Sequence, residues 1–383
     1  MANDKTALRI LQINAGNRQF GGVSSMLYNV YSHIDRDRVQ FDFLSPYIST
    51  YDVHREEIEA MGGRIYQLGI TGNKLERKIR LYPGVKGFMK QHPYQIVHIN
   101  SGNFFFDLVV AKAVKDAGIK NIIVHSHSVE DPRDSALKKA TIQMLKPTLE
   151  RQLTARCACS TSAARYMFLN RIVDEGGVNI VRNGMEVKKF EYNEAVREDV
   201  RRELGIQDKH VLGHVGRFFP GKNQAFLVRV FARLAERDPD AVLVLVGDGE
   251  ELPRVREQVK QMGLVDSVYF LGVRTDVQRY YQAFDAFAFP SMWEGLGMVL
   301  VEAQIAGLHC VASTGVPKEA DVTGNVVFYD LTDADIDRWA EAIAKAFTAQ
   351  RHSCADQALA AGYDIDAVAE GLAQLYIREI SRN

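Results

Sequence analysis

The sequence predicts an α/β protein made of two successive domains, each a parallel sheet covered by helices on both faces. Three observations carry this. Short apolar runs bounded by Gly, Pro, Asn or Asp alternate with longer segments of helical period along the whole chain. The alternation restarts at Val211, after a charged stretch from Glu186 to Arg202 that has no strong period and reads as an interdomain connection. Charge divides at the same place: residues 1–185 carry 25 Lys+Arg against 17 Asp+Glu, and the remainder 22 against 31. A length of 383 residues agrees, since one hydrophobic core stops growing at about 250–300 residues.

The first domain opens with a strand from Leu8 to Ile13. A loop from Asn14 to Gly22 follows, ending in Gly21-Gly22, and then a helix from Val23 to Ile34. Strand, glycine loop and helix in that order are the usual start of a nucleotide-type domain. Strands are expected again at Phe41 to Leu44, Arg64 to Leu68, Ile96 to Ile99, Asn121 to His125 and Cys157 to Ser160, with helices between them. Val178 to Val181 is a short last strand before Arg182-Asn183-Gly184. In the second domain the expected strands are Val211 to Val215, Ala241 to Val246, Val268 to Leu271, Ala286 to Phe289 and Cys310 to Ala312. Helices are expected at Gln224 to Glu236, Glu251 to Met262, Met298 to Ala306 and Asp335 to Phe347, and an amphipathic one at Ala367 to Ile380. No repeat of about 20–50 residues is present.

Composition narrows the function classes. The apolar fraction of 46% supplies two cores, and a formal net charge of −1 gives no reason to expect a nucleic-acid partner. The basic surplus of the first half points to an anionic partner for that domain. Cys157, Cys159, Cys310 and Cys354 have the spacing of neither a zinc site nor a disulfide framework. Reduced, buried thiols and a cytoplasmic location are expected. The N-terminus is polar to Ala7 and then enters a strand, so no signal peptide is expected. No apolar run approaches the roughly 18 residues that span a bilayer.

The most informative stretch is Ser291 to Ala303, Ser-Met-Trp-Glu-Gly-Leu-Gly-Met-Val-Leu-Val-Glu-Ala. Pro290 closes a buried strand, Gly295 and Gly297 allow a tight turn around Leu296, and a helix begins. A helix N-terminus suits an anion, and carboxylates accept hydrogen bonds from hydroxyls. Glu294 lies in the turn and Glu302 eight positions on, inside the helix. Taken alone, the pair also reads as a capping acid and a solvated helix residue. A second element, Gly216-Arg217-Phe218-Phe219-Pro220-Gly221-Lys222-Asn223, follows a strand and opens a helix. It offers a guanidinium, which grips phosphate bidentately, and an ammonium, a compact charge.

Together these segments resemble the Glu-x7-Glu and Gly-Arg-x(4)-Lys-Asn elements of the retaining glycosyltransferases of family 4, which have the GT-B fold. The resemblance implies two Rossmann-like domains facing across a cleft: 1–185 for the acceptor, 186–365 for the nucleotide-sugar donor, and a helix at 366–383 crossing back to the first. It implies that Glu302 holds the ribose hydroxyls and Glu294 the sugar hydroxyls, while Arg217 and Lys222 stabilise the departing diphosphate in place of a metal ion. Gly22, Gly216, Arg274, Gly295, Leu296 and Gly297 join the donor side. His127, in His125-Ser126-His127, approaches the donor sugar, and Gly21 and Asn183 lie on the acceptor side. The nucleotide, UDP by resemblance, is a substrate, and no cofactor or metal is expected. One departure stands out: Thr314-Gly315-Val316-Pro317-Lys318-Glu319 replaces the Gly-Gly-x-x-Glu of many relatives. A nucleotide-sugar epimerase that does not hydrolyse its substrate, or a two-domain sugar-binding sensor, would share the same fold.

Lys74, Arg77, Lys78, Arg80, Lys86 and Lys90 cluster in one stretch that Pro83 and Gly84 break into two short helical pieces, and Lys138, Lys139, Lys146 and Arg151 form a second basic group. They read either as solvated helix faces or as a surface resting on anionic lipid, where relatives that build cell-surface polysaccharides meet a lipid-linked acceptor.

Overall fold

The computed structural model describes residues 7–15 and 21–382. Residues 16–20, the middle of the expected Asn14–Gly22 loop, lie outside the described residues. The chain divides into two compact units. The first runs to Met185 and resumes at Gly362; the second is Glu186–Ala361.

The first unit holds β1 (Leu8–Asn14), β2 (Val39–Ser45), β3 (Arg64–Gln67), β4 (Ile96–Ser101), β5 (Asn121–Ser126), β6 (Ala155–Ala158) and β7 (Asn179–Ile180). They pair in parallel in the order β3-β2-β1-β4-β5-β6-β7. The second holds β8 (His210–Val215), β9 (Ala241–Val246), β10 (Val268–Gly272), β11 (Ala286–Phe289), β12 (His309–Ser313) and β13 (Val326–Tyr329), in the parallel order β10-β9-β8-β11-β12-β13. Both are the Rossmann-like sheets that the alternation predicts. Strand order reverses between β1 and β4 and again between β8 and β11, and loops leaving such a switch point open a crevice at the carboxyl ends. Because helices cover both faces, central strands are apolar throughout rather than alternating. β9, Ala-Val-Leu-Val-Leu-Val, is buried at every residue.

Four features depart from the sequence expectation. The supposed interdomain connection contains a helix, Glu194–Leu204, capped by Asn193. Only Val196, Val200 and Leu204 mark its apolar stripe. It is held instead by Arg197 and Arg201, which bond Asp285 and the carbonyls of Gln282, Ala283 and Phe284. Next, Lys74–Gln91 is one helix with Pro83 inside it, not two pieces. An interior proline costs about 3 kcal/mol. Burial of Leu81, Val85, Phe88 and Met89, at about 1.5–3 kcal/mol each, outweighs that, and Asn73 and Glu76 close a capping box. The third is β13, a short edge strand that the sequence pattern did not show.

The last departure is where the chain rejoins the first unit: Gly362, before the final helix Ile365–Ser381. Met185 and Tyr363–Ile365 pair through Met185 N–H to Tyr363 O (2.9 Å) and Ile365 N–H to Met185 O (3.2 Å). A Cβ on Gly184 would stand 2.9 Å from Ile365 Cα, so the helix start requires glycine there. Ile365, Val368, Ala369, Leu372, Ala373, Leu375 and Tyr376 then enter the same core as Phe41, Phe43 and Tyr31. All four cysteines are buried, and among the described residues none is shown in a disulfide.

Candidate active site

In the second unit, the loop after β8 and the turn after β11 are joined at their backbones, Met292 N–H donating to Gly221 O at 2.7 Å. This brings two predicted residues into contact: Lys222 Nζ bonds Glu294 Oε1, with both side chains 15% exposed. Lys222 also lies 4.6 Å above the Phe289 ring. Glu294 is thus no helix cap, and the helix Met298–Ile305 has no side-chain cap at all. Leu300 N–H already donates to Gly297 O at 2.9 Å, so only the N–H groups before it can face a ligand. The position before that helix, Gly297, has φ 89°, and a Cβ there would meet Phe289 at 3.0 Å. Leu296 is buried, so only its backbone can reach a ligand.

Glu302 is on the same helix, and Tyr281 Oη donates to its Oε2 at 2.7 Å. Burial raises the Glu302 pKa, while the Tyr281 bond and the nearby charge of Lys222 pull it back. One carboxylate oxygen is thereby occupied and the other left to accept. Arg217 is exposed, and its guanidinium has no hydrogen bond among the described residues. Its carbonyl is fixed from below. His214 donates through Nδ1 to Ala288 O (2.9 Å), and Gln224 Nε2 bridges His214 Nε2 (3.2 Å) and Arg217 O (3.0 Å). Burial lowers the His214 pKa to about 4 and keeps the ring neutral beside Lys222. Gly216 leads into this loop, its N–H bonded to Val246 O. Arg274 is exposed, 5.5 Å from the Tyr280 ring centroid, and makes no contact with the Lys222–Glu294 pair among the described residues.

In the first unit, Gly21 and Gly22 begin the helix Gly22–His33. Among the described residues a Cβ on Gly22 would meet nothing within 4 Å. Both line a cavity of about 330 Å³ at the β1–β4 switch point, with Asn14, Ser24, Thr50, Ser101 and Asn103. His127 follows β5. Its ring lies 4.0 Å from that of His125, tilted by 33°, and burial pushes its pKa down to about 3. Asn183 is half-buried, and its Oδ1 is enclosed without a hydrogen-bond partner among the described residues.

Tyr281, His214, Gln224 and Asn100 escape sequence reasoning. Each acts through a contact that only folding makes: Tyr281 lies 21 positions from Glu302. Among the described residues no group of three His, Cys, Asp or Glu is arranged to hold a metal ion, and no helix is long and apolar enough to cross a membrane.

Comparison with known proteins adds the following. Residues 196–361 match the family model "Glycosyl transferases group 1". A putative glycosyltransferase of Bacillus subtilis, EpsF, is 32% identical over 346 residues, covering 90% of this chain and 88% of that one. An Escherichia coli enzyme, UDP-Gal:alpha-D-GlcNAc-diphosphoundecaprenol alpha-1,3-galactosyltransferase, is 28% identical over 59% of each chain. Among solved structures, Anabaena Alr3699/HepE in complex with UDP aligns over 97% of this chain and 100% of its own, at 19% identity and a TM-score of 0.72.

Proposed function

The chain belongs to the group 1 glycosyl transferases, and from that premise we propose that it moves a sugar from a UDP donor to a lipid-linked acceptor, with retention and without a metal ion. The single observation that supports this assignment of residues is the Lys222–Glu294 pair held beside Glu302. When the bond from the sugar to the diphosphate breaks, negative charge grows on the bridging oxygen. Lys222 and Arg217 face that charge, and Glu294 accepts from the sugar hydroxyls. Both ribose hydroxyls go to Glu302, whose orientation Tyr281 sets. No side chain here acts as a nucleophile; the leaving phosphate takes the proton of the acceptor hydroxyl. UDP and a lipid carrier are supported by the name of the Escherichia coli relative, a galactosyltransferase acting from UDP-Gal on a diphosphoundecaprenol-linked sugar. A screen of nucleotide sugars by thermal shift, followed by mass spectrometry of products, tests the whole reading. Free nucleotide released only on addition of acceptor separates transfer from epimerisation and from mere binding. Turnover is expected to survive a chelator; activity abolished by chelation and restored by magnesium would defeat the metal-free mechanism.

The proposed membrane contact rests on one helix. Lys138 and Lys139 are paired with Asp134 and Glu130, and Lys146 is buried, its Nζ on Arg165 O at 2.6 Å. That second basic group is therefore largely spent within the fold. Lys74, Lys78, Arg80 and Lys90 are exposed instead, beside Leu75 (66% exposed) and Ile79 (65%). Each such cation near an anionic surface is worth about 1 kcal/mol. The chain is expected to sediment with anionic vesicles at low salt and to be released at high salt. A Lys74→Glu/Lys78→Glu variant should stay in the supernatant. Equal, negligible sedimentation with anionic and neutral vesicles would remove the membrane from the proposal.

A further inference from the structure

Under the carboxyl edge of the first sheet lies a chain of buried polar side chains. It runs from the final helix to the predicted sugar-contacting histidine. Tyr376 Oη lies 2.7 Å from His98 Nδ1 and receives Gln12 Nε2 at 3.1 Å. Gln12 Oε1 receives Asn100 Nδ2 at 2.8 Å, and Asn100 Nδ2 also donates to the main-chain carbonyl of His98 at 3.1 Å. Asn100 Oδ1 lies 3.4 Å from His127 Nε2. Gln12, His98, Asn100 and Tyr376 are all fully buried, so none can turn to water for a partner.

The directions of these bonds follow from what each atom can do. A main-chain carbonyl only accepts. Asn100 must therefore turn its NH2 toward His98 O, and its second hydrogen goes to Gln12. Both amide hydrogens are then used, so the Asn100 oxygen can only accept. The ring nitrogen facing it must be an N–H. Burial lowers the His127 pKa to about 3, which keeps the ring neutral. A neutral ring with hydrogen on Nε2 has a bare Nδ1, and that atom is enclosed with no partner. By the same logic Gln12 points its NH2 at Tyr376, and the Tyr376 hydroxyl donates to His98 Nδ1.

We propose that Asn100, anchored through Gln12 to Tyr376, is a positioning residue that fixes His127 as its Nε2–H tautomer and leaves Nδ1 a bare hydrogen-bond acceptor. Nδ1 is enclosed in this structure, and by its chemistry it pairs with a donor such as a hydroxyl, not with a phosphate oxygen. Its use on the donor sugar rests on the reading of His127 above; the tautomer itself does not.

The test is nitrogen-15 NMR of the full chain labelled at histidine, with His127→Gln supplying the assignment. In the wild type, His127 is expected to show a protonated Nε2, an unprotonated Nδ1 and a slowly exchanging ring proton at neutral pH. Asn100→Ala should abolish the slow exchange and mix the tautomers. Asn100→Asp, which keeps an oxygen opposite Nε2, should restore both and raise the His127 pKa. Hydrogen on Nδ1 in the wild type would overturn the proposal outright, whether or not the variants fold. So would an unchanged ring proton in Asn100→Ala. If the tautomer is as stated but His127→Gln leaves sugar transfer intact, only the sugar-contact reading fails.

Discussion

Lys222→Ala is expected to lower turnover by about two orders of magnitude while leaving the fold intact. One donor aimed at charge that grows toward the transition state is worth roughly 3 kcal/mol. The side chain is 15% exposed and its one ion pair, to Glu294, closes a gap between two loops already joined at the backbone through Met292 and Gly221. Removal leaves the largely buried Glu294 carboxylate unpaired, so the melting temperature should fall, while the backbone joint keeps the two loops in place. The substitution has a second effect. Glu294 loses its partner and its charge is no longer balanced, so the sugar site is perturbed as well. Arg217→Ala removes only the exposed cation and serves as the comparison. Steady-state kinetics decide the matter: a rise in KM with kcat unchanged in Lys222→Ala would mean that this lysine binds the ground state and does not favour departure of the diphosphate.

Glu302→Ala should act on affinity. Two ribose hydroxyls would lose a charged acceptor, a loss of about 3 kcal/mol or roughly 100-fold in Kd for the nucleotide. Tyr281 keeps an alternative acceptor in Val299 O at 3.3 Å, so its buried hydroxyl is not orphaned and the protein should still fold. Tyr281→Phe should weaken nucleotide binding in the same direction by less, because it frees the carboxylate to turn without removing it. The pKa of Glu302 is raised by burial, so its charge is lost at a higher pH than for an ordinary glutamate. Nucleotide affinity should accordingly decline on acidification sooner in the wild type than in Glu302→Gln. Calorimetry that finds the same nucleotide affinity in Glu302→Ala and wild type would end the ribose assignment.

What could be read beforehand depended on whether the determining contact was local. The two sheets were legible because parallel strands buried on both faces leave unbroken apolar runs such as Ala241 to Val246. Loop geometry around Gly297 was legible too, since a left-handed φ demands glycine. Glu194–Leu204 was not, because ion pairs to Asp285, about 90 residues away in sequence, replace the missing apolar stripe. Pro83 misled for the opposite reason: a local rule worth about 3 kcal/mol was overruled by four buried side chains. At the candidate site, the family resemblance, carried by two strand–turn–helix elements, pointed to Lys222, Glu294 and Glu302. It gave no hint of Tyr281 or Asn100, whose importance lies in an orientation they impose across the sheet.

The final helix has a consequence for how the molecule comes into being on the ribosome. The second unit is one continuous run, Glu186–Ala361, and has all its residues before synthesis ends. The first unit, although it begins first, waits for Ile365 through Tyr376 to fill the space beside Phe41, Phe43 and Tyr31. Domains usually complete in the order in which they emerge. Here the later one can close while the earlier still exposes an apolar trough, so a stalled or prematurely released chain would carry a finished C-terminal body and an adhesive N-terminal one. A chain cut before Ile365 would thus be far more damaged than the small loss suggests, and chaperone dependence should concentrate in the interval between translation of β1 and that of the final helix.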